Sequence, residues 1–146
     1  MKKPVQLLGL FIVLWIISGC ASAVQYVPLP DQSKSVEDPN KARIYVLRPT
    51  SFGGAIGIPI SDGRNSIGIT GPNSFLSWER DPGETTIRSM SENTYELPIT
   101  MKKGLSYYIQ QEINIGFFTP RSTLNILPED EGKRKLSECK PPEIKQ

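Results

Sequence analysis

The side chains best suited to covalent chemistry in this sequence are two cysteines, Cys20 and Cys139. A deprotonated thiol is a nucleophile that can form a thioether or a disulfide. The chain has no histidine, which excludes histidine-dependent catalytic triads, histidine metal sites and the most common general base. The surroundings of each cysteine therefore decide which chemistry it can take part in.

Cys20 stands at the end of a segment with the pattern of a signal peptide. Lys2 and Lys3 precede an almost unbroken apolar run of about 13 residues, from Val5 to Ile17, which is the length of a signal-peptide hydrophobic region. As a helix this run would span roughly 20 Å, against a hydrocarbon core of about 30 Å. We therefore expect residues 1–19 to be a signal-peptide helix.

The residues at the end of this run, Ile17-Ser18-Gly19-Cys20, resemble the lipobox of bacterial lipoproteins. The resemblance implies cleavage before Cys20 and a lipid on its thiol, with Ile17, Ser18, Gly19 and Ala21 as the residues read by the processing and sorting machinery. Several acyl chains hold a protein at a bilayer where one chain binds only marginally. The covalent lipid on Cys20 is the only bound group expected, with no metal and no other cofactor.

Two other outcomes for this segment remain open. The residues Ala21-Ser22-Ala23 fit the small-residue rule for ordinary secretory cleavage, and the apolar and small residues up to Val24 approach the length of an uncleaved anchor.

If Cys20 is lipidated, the protein belongs to the bacterial cell envelope. The residue after it is alanine and not aspartate, which predicts the periplasmic face of the outer membrane in a Gram-negative source.

Cys139 has no intrachain partner once Cys20 carries a lipid. An unpaired cysteine in an oxidising compartment indicates a free thiol or an intermolecular disulfide. A thiol that is shielded by packing is the simpler alternative.

The charge balance argues against nucleic acid as a partner. The chain has 17 Lys and Arg residues and 15 Asp and Glu residues, and Lys2 and Lys3 are the only charges before Cys20. The mature chain is therefore neutral in formal count. A protein that binds nucleic acid is expected to carry a basic patch or stripe.

The sequence after residue 19 divides into three parts. Residues 20–40 contain three prolines and no periodicity, which predicts an extended, lipid-anchored linker; an edge strand at Tyr26 and Val27 is the alternative. Residues 41–128 show strand patterning and form the predicted β domain. Residues 129–146 are a charged tail, in which Lys133 to Cys139 could form one or two helical turns.

The β domain is predicted from apolar residues that alternate with polar ones along short segments. Asp62 to Asn65 have the composition of a hairpin turn, and Pro98 predicts that its strand lies at a sheet edge. From Leu105 to Phe117 the alternation predicts one long strand. About eight such strands predict an all-β domain, a small antiparallel sandwich or partly closed barrel, with a core that includes Ile44, Val46, Leu97, Ile99, Ile109 and Ile113.

Three segments of this domain carry a family resemblance: Ala42-Arg43-Ile44-Tyr45-Val46-Leu47-Arg48-Pro49, Asp81-Pro82-Gly83-Glu84-Thr85-Thr86-Ile87 and Lys103-Gly104-Leu105-Ser106-Tyr107-Tyr108-Ile109. In this order they resemble the bacterial lipoprotein domain known as domain of unknown function 2846, over about residues 40 to 130. The resemblance implies a small extracytoplasmic β domain behind a lipid anchor. It implies no activity.

Aromatic residues are the remaining candidates for a binding site. Trp78, Tyr108 and Phe118 could form an exposed platform for a sugar or a peptide strand, whereas the register of Tyr95, Tyr107 and Phe117 predicts core packing. With no acid–base or metal constellation, we expect a non-enzymatic interaction or structural protein of the cell envelope, whose partners are the membrane and an envelope protein. The alternative is a module that binds peptidoglycan or another glycan through the three rings.

Overall fold

The computed structural model describes residues 21–145. The signal segment and Ile17, Ser18, Gly19 and Cys20 lie outside these residues. The described chain forms ten strands and one helix: β1 (Val24–Gln25), β2 (Ala42–Arg48), β3 (Ile58–Asp62), β4 (Asn65–Thr70), β5 (Ser74–Arg80), β6 (Gly83–Met90), β7 (Thr94–Met101), β8 (Ser106–Asn114), β9 (Arg121–Leu127), α1 (Glu129–Leu136) and β10 (Glu143–Ile144).

The strands form two sheets that pack as a sandwich. One sheet has the order β10-β1-β4-β3-β6-β7 and the other the order β5-β2-β8-β9. This confirms the predicted all-β sandwich. The predicted antiparallel pairing holds except at two places, since β1 pairs with β10 and β2 pairs with β8 in parallel. The hairpin at Asp62 to Asn65 and the edge position of the strand that contains Pro98 are both confirmed.

The main core lies between the two sheets and draws residues from both. Of the residues predicted to be buried, Ile44, Val46, Ile99 and Ile109 are buried, whereas Leu97 and Ile113 are only half-buried. The core cluster consists of Ala42, Ile44, Val46, Ile60, Ile67, Leu76, Trp78, Ile87, Ile99, Met101, Ile109 and Leu124. Hydrophobic contact between the sheets is the main force that holds such a sandwich together.

A second, smaller core lies on the outer face of the four-stranded sheet. All seven residues of β2 are buried, because Tyr45 and Leu47 pack on this face with Phe75 and Tyr108. Helix α1 covers it, and a Cβ at Gly132 would lie 2.2 Å from Cγ of Tyr108. Only glycine allows the helix to approach so closely. The alternation in β2 predicted that only one face of the strand is buried, but the helix buries the opposite face as well.

The segment predicted to be an extended linker instead packs on the sandwich. Strand β1 pairs with β4, and the side chain of Gln25 is fully buried. Its amide donates to the carbonyl of Ser77 at 2.7 Å and accepts from the Ser77 N–H at 2.9 Å. Gln25 thus binds β5 as a backbone group would, which joins the two sheets. Because the buried amide is hydrogen-bonded, it avoids the free-energy cost that an unpaired buried amide would incur.

The long strand predicted to run to Phe117 ends at Asn114. Gln111 is fully buried, where it donates to Ser89 Oγ at 2.7 Å and accepts from Thr70 Oγ1 at 2.6 Å. Ile115 and Phe117 lie in the following loop and are exposed. The prediction of core packing for Phe117 is therefore wrong, because the chain turns away at Gly116, where a Cβ would lie 1.7 Å from the carbonyl oxygen of Thr119.

The C-terminal tail is also structured. The predicted helical turns form, but the helix begins at Glu129 and ends at Leu136. Acidic residues occupy its first turn and basic residues its last, which is favourable for the helix dipole. The tail then returns to pair β10 with β1.

Strand directions give the sandwich two distinct ends. The end at which β1 begins, the Ala21 end, carries the loops 49–57, 71–73, 91–93 and 115–120. The opposite end, the cleft end, carries the segments 26–41, 63–64, 81–82 and 102–105.

Candidate functional site

The three rings predicted to form a binding platform lie in three different environments. Trp78 is 4% exposed and belongs to the core between the sheets, and Tyr108 is 5% exposed under helix α1. The Tyr108 ring stacks on Tyr45 with centroids 5.0 Å apart and planes 2° apart. Phe118, in contrast, is 87% exposed in the loop after β8. The predicted platform is therefore wrong, because two of its rings face the two cores.

A cleft of about 830 Å³ opens at the cleft end. One wall is the segment from Val27 to Pro39, and the other is formed by the ends of β3, β4 and β5. Charged residues of both signs line it, including Glu37, Asp38, Lys41 and Arg80. A mixed, half-open recess of this kind suits a polar ligand or a segment of a partner protein.

Asp62 is the central carboxylate of the cleft. It is buried and accepts hydrogen bonds from Trp78 Nε1 at 2.9 Å, from Arg80 Nη1 at 2.7 Å and from the hydroxyl of Thr85. The turn of the β3–β4 hairpin positions it beside β5 and β6. With these donors Asp62 fixes the Trp78 ring and the end of the hairpin, which is the usual role of a buried, fully paired carboxylate.

Arg43 and Glu79 form an ion pair at the wall of this cleft, in which Arg43 is buried and Glu79 is half-buried. The side chain of Arg43 is 0% exposed, and its Nη2 and Nε lie 2.8 and 3.0 Å from Glu79 Oε1. Glu79 also accepts from the backbone N–H groups of Glu37 and Asp38. Burial raises the pKa of Glu79, but these N–H donors and Arg43 outweigh it, so that its pKa is lowered. The pair holds the wall segment in place, and no pattern in the sequence indicated it.

A second notable surface lies at the Ala21 end, in the loop 115–120. Glu92, in the turn between β6 and β7, accepts hydrogen bonds from the N–H groups of Phe117, Phe118 and Thr119 at 3.1, 2.7 and 3.0 Å. These three donors lower the pKa of Glu92 to about 2. Successive backbone N–H groups form an anion-binding concavity, which here holds the Glu92 carboxylate. The loop is therefore held in a defined shape.

Arg48 organises the neighbouring loop. It is fully buried and donates to the carbonyl oxygens of Ile56, Gly53 and Phe52 at 2.8, 2.9 and 3.2 Å. Burial lowers its pKa. The guanidinium is paired with backbone carbonyl groups and not with a carboxylate. These hydrogen bonds fix the shape of the loop 49–57.

Cys139 packs against the outer core and is half-buried. Burial is the main reason why its pKa is raised to about 11, with a smaller contribution from the charge of Glu138. A thiol with a raised pKa is a poor nucleophile at neutral pH. Among residues 21–145 it has no disulfide partner.

Residues 21–145 contain no group of three or more acidic or cysteine side chains placed to hold a metal ion. Over the same range, helix α1 is too short and too polar to cross a bilayer.

Comparison with known proteins gives one informative similarity. The chain is 27% identical over 129 residues to an uncharacterised protein of Haemophilus influenzae, a match that spans 86% of this chain and 77% of that protein. No protein-family model matches the chain, and no solved structure matches it. The resemblance to domain of unknown function 2846 stays a prediction.

Proposed function

We propose that this chain is a lipid-anchored protein of the bacterial cell envelope, and that its β domain acts by binding and not by catalysis. The observation that carries the proposal is the sequence Ile17-Ser18-Gly19-Cys20 directly after an apolar segment of signal-peptide length. The similar protein from Haemophilus influenzae supports a bacterial source. With Ala21 after the cysteine, we expect the periplasmic face of the outer membrane in a Gram-negative cell.

The chemistry of the described side chains supports a binding role. The carboxylates of buried Asp62 and half-buried Glu79 accept hydrogen bonds from donors of the fold itself. The half-buried thiol of Cys139 has a raised pKa. Catalytic groups need a protonation state and an open position suited to the reacting atoms, and these groups instead hold strands and loops together.

Glycan binding through the rings of Trp78, Tyr108 and Phe118, as the sequence predicted it, is the weaker candidate. Stacking on a sugar requires rings side by side at the surface, and Trp78 and Tyr108 are buried. Trp78→Ala would therefore disturb the core and say little about a ligand.

The binding role can be tested with purified peptidoglycan sacculi and by cross-linking in intact cells. We expect the protein to be cross-linked to one envelope protein and the domain, residues 21–146, to stay in solution in the presence of sacculi. Specific retention on sacculi that is lost in Arg80→Ala, in the cleft, but kept in Arg134→Ala, on the exposed face of α1, would favour the glycan role.

Attachment of the lipid can be tested by labelling cells with a radioactive fatty acid. Wild-type protein and Cys139→Ala should take up the label, and Cys20→Ala should not. Equal labelling of all three proteins would contradict lipidation at Cys20.

A further inference from the structure

The position of Ala21 shows where a lipid on the preceding residue would leave the domain. The N–H of Ala21 donates to the carbonyl oxygen of Gly54 at 2.8 Å, and a Cβ at Gly71 would lie 2.2 Å from the Ala21 carbonyl oxygen. Ala21 is thus held between two loops of the sandwich. Since consecutive Cα atoms are about 3.8 Å apart, a lipid on Cys20 would emerge directly at the Ala21 end and not from a long tether.

The loop 115–120 lies at this same end, next to the loop that holds Ala21. A Cβ built on Gly53 would be 3.2 Å from Cγ of Pro120 and 3.4 Å from Cγ2 of Ile113. Gly53 is the neighbour of Gly54, the residue that binds Ala21. The predicted lipid attachment and the loop after β8 are therefore parts of one surface.

This surface exposes large apolar side chains. Ile115, Phe117 and Phe118 are 84%, 86% and 87% exposed, and Phe52 of the adjacent loop is half-exposed. The Phe117 and Phe118 rings meet edge to face, with centroids 4.6 Å apart. Clusters of large exposed apolar side chains, such as these two rings in contact, are typical of interaction surfaces. The cleft end, in contrast, presents charged residues such as Glu37 and Asp38.

The backbone of this loop is fixed by contacts with the turn between β6 and β7 and with itself. Glu92 fixes three successive N–H groups of residues 117–119, and the close approach of the chain to itself at Gly116 leaves no room for a side chain there. Exposing two phenylalanine rings to water costs free energy that their burial at an interface recovers. Because the loop backbone is already fixed, less entropy is lost on association.

We infer that Phe52, Ile115, Phe117 and Phe118 insert into the surface of the lipid bilayer beside the acyl chains on Cys20. This inference rests on the proposed lipid anchor, because that anchor is what makes a bilayer, and not another protein, the surface within reach of these residues. Apolar side chains at the interface bind with the acyl chains as a second membrane signal. The domain then stands on the membrane with its Ala21 end down, and the cleft opens away from the bilayer.

The inference can be tested by tryptophan fluorescence on the full lipidated protein in vesicles of phosphatidylethanolamine and phosphatidylglycerol, with or without brominated phosphatidylcholine. Bromine quenches tryptophan only at close range. The probe is Phe118→Trp, and the matched control is Leu105→Trp, an exposed position of the cleft end. Buried Trp78 is common to both, and its signal is measured in the wild-type protein.

We expect Phe118→Trp to lose fluorescence in brominated vesicles and Leu105→Trp to keep it. Adding Glu92→Gln to the probe variant should reduce the loss, because the loop is then held less firmly. If both positions are quenched equally, or neither is, while the protein co-sediments with the vesicles, the orientation inferred here is wrong and the lipid anchor stands. Failure of the wild-type protein to incorporate fatty acid or to co-sediment would instead contradict the proposed function.

Discussion

The carboxylate of Glu92 accepts a hydrogen bond from the backbone N–H of Phe118 at 2.7 Å, although the two residues are 26 positions apart in the chain. This contact joins the turn between β6 and β7 to the loop after β8. It gives an exposed apolar loop a defined shape, and it makes that shape dependent on the charge of one side chain.

We expect the loop 117–119 to loosen at low pH. The three N–H donors lower the pKa of Glu92 to about 2 in the folded protein, below its value of about 4.5 in the unfolded chain. A group with a depressed folded pKa stabilises the fold above its unfolded pKa and loses this effect as the pH falls through its folded pKa. Amide hydrogen exchange at residues 117–119, corrected for the intrinsic effect of pH, should therefore show weaker protection near pH 2 than at pH 6.

Glu92→Gln should produce the same loosening at neutral pH, because an amide has one acceptor oxygen where the carboxylate has two. Glu112→Gln, at an exposed position of β8, is the control and should leave exchange at these amides unchanged. Equal protection in wild type and Glu92→Gln would show that the carboxylate does not hold the loop.

The contribution of Gln25 tests whether the segment before β2 is part of the folded domain. Gln25→Leu removes the partners of the Ser77 N–H and carbonyl, and each unpaired buried group costs about 1–3 kcal/mol. Urea unfolding should therefore show a clear loss of stability. Gln32→Ala, at an exposed position of the same segment, should change the free energy of unfolding by no more than about 0.5 kcal/mol. Equal stability of both variants would mean that the segment is a free tether.

Alanine substitution of Ile109, within β8, and of Ile115, in the loop after it, should have very different effects on the free energy of unfolding. Ile109→Ala removes a fully buried side chain and is expected to cost about 2–5 kcal/mol. Ile115→Ala removes a side chain that is 84% exposed, so that we expect a change within about 0.5 kcal/mol. Thermal or urea unfolding of the two variants measures the difference. A large loss of stability from Ile115→Ala would show that its side chain is buried in the folded protein.

The thiol of Cys139 should react slowly with alkylating reagents in the folded protein. Its pKa is raised to about 11, mainly by burial, and the thiolate is the reactive form. We expect slow modification by iodoacetamide at pH 8 and fast modification after unfolding in guanidinium chloride. Rapid modification of the folded protein would show that the side chain is accessible and ionised.

Period-two alternation predicted the strands and much of the core, because one side of each strand must face the other sheet. It predicted Ile44, Val46, Ile99 and Ile109 correctly. Alternation alone does not indicate that helix α1 covers the outer face of β2. The run Ile44-Tyr45-Val46-Leu47 does have the near-continuous apolar character of a strand buried on both faces.

The candidate surfaces were harder to predict from the sequence. Gln25 and the segment around it have the composition of a linker, and it is their long-range contacts, such as the pairing of β1 with β4 and the bonds of Gln25 to Ser77, that make them part of the sandwich. Extending the alternation past Asn114 assigned Phe117 to the core, although Gly116 marked a turn. Long-range polar contacts such as those of Glu92 and Arg43 leave no periodic signal, because their partners are far apart in the chain.

The most direct test of the central claim is the mass of the N-terminal peptide of the mature protein, isolated from the membranes of cells that express the full chain. A lipid-anchored protein gives a peptide that begins at Cys20 and carries diacylglycerol on the thiol, and Cys20→Ala abolishes it. A peptide that begins at Val24, after Ala21-Ser22-Ala23, or one that retains the residues before Cys20 would contradict the account.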